Sequence, residues 1–181
     1  MLNNDDERFY SPYYEVRPLT MAIVAEKNQK GEPITRVLEE EIEYVVDFPP
    51  SKVVDYACKF FGSSLRGRQE GTLDICGITH KAPISIDPLS GMYFFPTTSP
   101  KNLRCSWIAH SHIDQINKTG ENDTEFIFKN GKRIILRVSY GSMLNQLQRT
   151  AQYRFLLDNR IKYLQQRKAG MVAEPSQGAH E

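Results

Sequence analysis

The chain has little cysteine, a single tryptophan and no long apolar run. Its three cysteines, Cys58, Cys76 and Cys105, are odd in number and widely spaced, which argues against a disulfide framework and for a reducing compartment. No stretch approaches the roughly twenty apolar residues of a membrane-spanning helix. The opening "MLNNDDERFY" is acidic where a secretory leader is basic and then apolar. A soluble, cytoplasmic protein with no membrane partner is expected. Short chelating pairs of the C-x-x-C kind are also missing, and no cofactor is expected.

What is present is a core. Nine Phe, nine Tyr and a 40% apolar fraction over 181 residues suit a globular chain of one domain with terminal tails. The net charge of +1 hides a division. Residues 1–50 carry five Lys/Arg against eleven Asp/Glu, a net of −6, and residues 51–181 carry eighteen against eleven, a net of +7. Over 129–168, ten basic residues face one acid, Asp158. Such a distribution sets up a field that the net charge does not report. It fits an acidic half paired with a basic half, and equally a face that binds a polyanion such as nucleic acid.

Hydrophobic periodicity places short strands at "TMAIVAE", "ITRVLEE" and "IEYVVDF", then a helix over about 51–61 capped by Ser51 and ended by Gly62. From 71 to 139 the pattern returns to strands: "TLDICGI", "APISI", "MYFFPT", "CSWIAHSHI" and "TEFIFKNGKRIILRV". Asn130-Gly131 in the last of these is the signature of a type I′ hairpin turn. Proline-bearing loops, "IDPLSG" and "FPTTSPKN", interrupt the series. A basic helix over about 142–168 follows. The fold class is α+β: an antiparallel β-sheet or open barrel, a mid-chain helix and a long basic C-terminal helix. Residues 1–14 read as a flexible acidic N-terminus, 15–168 as a single domain and 169–181 as a flexible tail.

The densest candidate chemistry is "RCSWIAHSHI", residues 104–113. On an extended strand His110 and His112 share a face and Cys105 points away. Cys76 and His80, four apart in "CGITH", also share a face if that segment is a strand. Neighbouring strands would then bring Cys76, His80, His110 and His112 together around a metal, and His80, His110 and His112 would be the core of a zinc-dependent hydrolase. The apolar flanks of each cysteine disfavour a thiolate nucleophile, and Asp114 is the lone nearby acid. The competing and favoured reading is a packed strand with hydrogen-bonded histidines and no catalytic residue.

Two segments carry nucleic-acid signals. In "GSSLRGRQEGT", glycines and serines surround Arg66 and Arg68, as suits contact with phosphates or entry into a narrow minor groove. At the start of the long helix, Asn145, Gln146 and Arg149 combine amides with a cation. His80 and Lys81 would support the same face, and Arg149 and Arg154 would neutralise phosphates. A basic helix that docks an acidic protein, with no DNA involved, is the other non-enzymatic reading.

The strings "CKFFGSSLRGRQEGT", "ITHKAPISIDP", "FFPTTS", "CSWIAHSHI", "DTEF.F.NGK", "SYGSMLNQLQRTAQYR" and "NRI" occur in this order. Together they resemble the ComK family, competence transcription factors of Bacillus-type bacteria, over about residues 15–162. The resemblance implies a sequence-specific, nucleoid-associated activator of DNA-uptake genes. It would bind AT-rich double-stranded DNA through the minor groove as dimers joined into a tetramer, and would bend the DNA and recruit RNA polymerase. It also implies an adaptor of a Clp-type protease as a partner. The family's adaptor-binding segment is aromatic and methionine-bearing, whereas "KAGMVAEPSQGAHE" has no aromatic residue. Such a reader needs shape and charge more than base-edge chemistry, in keeping with the split charge above.

Overall fold

A computed structural model describes residues 8–10 and 15–173 of the chain. Strand β1 (Arg8–Tyr10) precedes three strands, β2 (Thr20–Lys27), β3 (Pro33–Glu39) and β4 (Glu43–Val46). Two helices follow, α1 (Pro50–Phe60) and α2 (Leu65–Cys76). The remaining strands are β5 (Ile84–Asp87), β6 (Met92–Pro96), β7 (Trp107–Ala109), β8 (Ile113–Lys118), β9 (Thr124–Phe128) and β10 (Arg133–Leu136), and α3 (Tyr140–Ala173) closes the series. Of the segments expected to be flexible, 1–14 and 169–181, residues 1–7, 11–14 and 174–181 lie outside the described residues, while residues 8–10 form β1 and residues 169–173 continue α3.

The strands form a seven-stranded sheet in the order β1-β4-β3-β2-β7-β6-β5 and a three-stranded sheet in the order β10-β9-β8. All pairings are antiparallel except β1 with β4. The class is α+β with open sheets and no closed barrel among the described residues. The large sheet is buried on both faces, which explains why β6 and β7 read as unbroken apolar runs. One face, with Ile23, Val37, Phe94 and Trp107, packs on Val53, Val54, Ala57 and Cys58 of α1. The other, with Leu38, Phe95 and Ile108, packs on Ile116, Phe126 and Phe128 of the small sheet and on Met143 of α3.

Several local expectations need correction. The α1 helix begins at Pro49-Pro50 with no side-chain cap. Ser51 instead donates to the Pro100 carbonyl (2.8 Å) and accepts from Trp107 Nε1 (3.3 Å), tying the helix to a loop and a strand. Residues 65–76, which span most of "GSSLRGRQEGT" and of the expected strand "TLDICGI", form α2. Ser64 caps it by accepting from the Gly67 amide, Asp55 accepts from the Leu65 amide, and Gly77 ends it with φ +71°. The β9–β10 hairpin is as expected, but its turn is not type I′. Gly131 alone has positive φ (+87°), and the bonds Gly131 N to Phe128 O and Phe128 N to Lys132 O define a three-residue loop. "CSWIAHSHI" is not one strand: it breaks after β7 into a 3₁₀ turn, His110–His112, before β8. The long helix extends to both sides of 142–168.

Candidate nucleic-acid interface

The α2 helix presents Arg66, Gln69, Glu70 and Leu73 outward, because the contact that buries it is Thr72. Next comes the connection from Gly77 to Pro83. Beyond it the loop between β6 and β7 brings Ser99 and Lys101 alongside. The three segments line one open groove of about 420 Å³, with Arg66, Lys81 and Lys101 as its cations and His80 beside them. Arg66 is 88% exposed and its Nε lies 2.9 Å from Glu70 Oε1, one helical turn away. Both His80 and Lys81 are exposed.

Three residues expected to face DNA are otherwise engaged. Arg68 is half-buried and donates through Nη2 to the Ile86 carbonyl (3.1 Å), which fastens α2 to β5. Gln146 is buried, and its Nε2 donates to the carbonyls of Lys81 (3.0 Å) and Pro96 (2.6 Å). Arg149 donates to Gln146 Oε1 (3.1 Å) and to the His80 carbonyl (2.5 Å), and partial burial lowers its pKa from the ordinary guanidinium value. Asn145 is exposed near the start of α3. Arg154 lies apart from the groove, over the Tyr93 ring at 5.2 Å and 3.8 Å from Asp158. Its environment is set by Tyr93, whose hydroxyl donates to Asp158 Oδ1 (2.6 Å) and whose pKa burial and that carboxylate raise.

Arg66, His80 and Lys81 are thus brought together, joined by Lys101 and Ser99, which the sequence offers only as part of a proline loop. The available signal was a lysine directly after Pro100 at a loop tip. Nothing in the sequence singles out Thr72. It is buried and donates to the Arg68 and Pro83 carbonyls (3.1 and 2.6 Å).

The geometry behind the metal alternative is not realised. Cys76 is on helix α2 with its thiol donating to the Thr72 carbonyl (3.2 Å). His112 Nε2 donates to the Pro18 carbonyl (2.6 Å). His110 is half-buried, and burial, with Arg154 and Lys129 nearby, holds its pKa below the usual imidazole value. Among the described residues no three His, Cys, Asp or Glu side chains are grouped to hold a metal ion. Burial pushes the Cys58 thiol up to about 12 and raises those of Cys105 and Cys76. Protonated thiols are poor nucleophiles and poor metal ligands. Among the described residues no helix is long and apolar enough to cross a membrane.

A competence transcription factor from Bacillus subtilis (strain 168) is 39% identical over 150 residues, covering 83% of this chain and 78% of that protein. The class defined by that likeness is the transcription regulators, and among them the activators of competence, in keeping with a binding protein rather than an enzyme. More closely, the chain belongs to the ComK family: the model of that family, described as ComK protein, matches residues 11–162. No solved structure matches the chain.

Proposed function

We propose that this chain activates competence genes by binding AT-rich double-stranded DNA through the minor groove. The observation that carries the reading is the convergence of Arg66, His80, Lys81 and Lys101 on one open groove built from three separate segments. Arg66 extends from the rim of that groove and is long enough to enter a narrow minor groove, where negative potential is enhanced. Lys81 and Lys101 neutralise flanking phosphates. Asn145 and Arg154, on α3, extend the contact when the DNA bends towards that helix. The protein acts as dimers joined into a tetramer, a reading supported by apolar side chains exposed along α3, among them Leu164 and Met171. RNA polymerase is recruited to the bent DNA, and an adaptor of a Clp-type protease controls the protein's amount.

Anisotropy titration against AT-rich and GC-rich duplexes of equal length tests this at several salt concentrations. The expected result is at least tenfold preference for the AT-rich duplex, displacement by a minor-groove drug, and log K falling with log salt by about 0.9 per phosphate neutralised. Equal affinity for the two duplexes with no effect of the drug would sink the reading.

A further inference from the structure

The connection between α2 and β5, residues 77–83, is exposed at His80 and Lys81, yet its backbone is fastened from behind at three carbonyls. Gln146 Nε2 donates to Lys81 O (3.0 Å) and Arg149 Nη2 to His80 O (2.5 Å). From the other helix, Thr72 Oγ1 donates to Pro83 O (2.6 Å). Both hydrogens of the Gln146 amide are committed, since Nε2 also donates to Pro96 O on β6 (2.6 Å), and Oε1 accepts from Arg149 (3.1 Å). Lys81 has φ +49°, and no other non-glycine among the described residues has a positive φ. An L-residue stays in that region only where its surroundings over-determine it. The bonds to the carbonyls of Lys81 and the residue before it provide that determination.

We infer that Gln146 and Arg149 are positioning residues that clamp the 77–83 connection to α3, so that His80 and Lys81 meet the DNA backbone in one preset geometry. The inference rests on the groove reading above and changes the role expected of both side chains: neither is a reader of bases or phosphates. A lysine on a free loop would lose backbone and side-chain freedom on binding, and a clamp removes most of that loss beforehand. The same network spans α3, β6 and the connection, so the groove is tied to the helix that carries Asn145 and Arg154.

The test is a double-mutant cycle read as affinity for the AT-rich duplex and as salt slope, with thermal unfolding to confirm the fold. Lys81→Ala is expected to weaken binding about tenfold and to lower the slope by about one phosphate. Arg149→Ala should weaken binding by a similar factor, and the double variant should bind no worse than Lys81→Ala alone. Gln146→Leu exchanges one neutral side chain for another, yet its slope should also fall by about one, because the displaced Lys81 no longer meets its phosphate. Should Gln146→Leu fail to fold, the half-exposed Arg149 carries the cycle alone. Additive losses with a slope reduced by about two in the double variant would overturn the inference, since Arg149 would then touch phosphate itself. So would wild-type affinity in folded Gln146→Leu and Arg149→Ala proteins. An unchanged affinity for Lys81→Ala would overturn the groove reading first, and this inference with it.

Discussion

Glu70 is the carboxylate among the side chains lining the groove, and it holds Arg66 by a bond of 2.9 Å across one turn of α2. Exposed i,i+4 pairs of this kind contribute only about 0.3–0.5 kcal/mol, so the pair opens readily when a phosphate competes for the arginine. A carboxylate beside an incoming polyanion also repels it, and the two effects act in the same direction. Glu70→Gln is therefore expected to tighten binding to the AT-rich duplex by about two- to fourfold at low salt, with the gain shrinking as salt rises. Anisotropy titration checks this; weaker binding would mean that Glu70 orients Arg66 for the contact. Arg66 and Arg68 show what residue type alone leaves open. They are two positions apart in one motif, but helical geometry sends the first into solvent and the second onto the Ile86 carbonyl.

The β9–β10 hairpin was legible because its strands alternate and Asn130-Gly131 separates them. Its turn geometry was not, because the same dipeptide serves a two-residue or a three-residue loop according to strand register. An identical bond pattern joins β2 to β3, where Gly31 stands at φ +81° and the Asn28 side chain accepts from the Lys30 and Glu32 amides. A Cβ at Gly131 would meet nothing within 4 Å, so any loss on substitution is backbone strain. Gly131→Ala should cost about 1 kcal/mol in urea unfolding, and Gly131→Asn less, since asparagine tolerates the left-handed region. The α2 helix was illegible for a different reason. Two interior glycines, Gly67 and Gly71, lower its propensity, and it buries Thr72 rather than an apolar stripe, so neither composition nor periodicity announces it.

Across the whole molecule, the acidic and basic halves of the chain meet through specific contacts. Ion pairs Arg17–Glu39, Arg36–Glu26 and Arg36–Glu43 lie within the β2–β4 half of the large sheet. Lys132 and Asn130 of the small sheet donate to the carbonyls of Glu39 and Glu40. The α2 and α3 helices, with Arg66, Arg68, Arg149 and Arg154, pack on β5 and β6 at the opposite edge. The last turns of α3 pass outside the body, with Leu164 65% and Met171 78% exposed, seven residues apart and in line with Leu157. That spacing suits pairing with the same helix of a second copy. If the proposed dimer forms through α3, Leu164→Glu with Met171→Glu should give monomers in light scattering where the unsubstituted chain gives dimers, with an unchanged far-ultraviolet spectrum. Affinity for paired AT boxes should then fall far more than affinity for a single box. A persistent dimer would place the self-association elsewhere.

The amino-acid sequence by itself determined the α+β class, most of the strands, the helix at about 51–61, the long basic helix and the family. These follow from local periodicity, from turn residues and from long matching strings. Only the tertiary structure decided that α2 is a helix, that "CSWIAHSHI" breaks at its histidines, and which polar side chains face solvent. Gln146, Arg149, Arg68 and Thr72 look in the sequence like any surface polar residues. Their partners are backbone carbonyls, which carry no residue-type signal and are brought within reach only when distant segments pack.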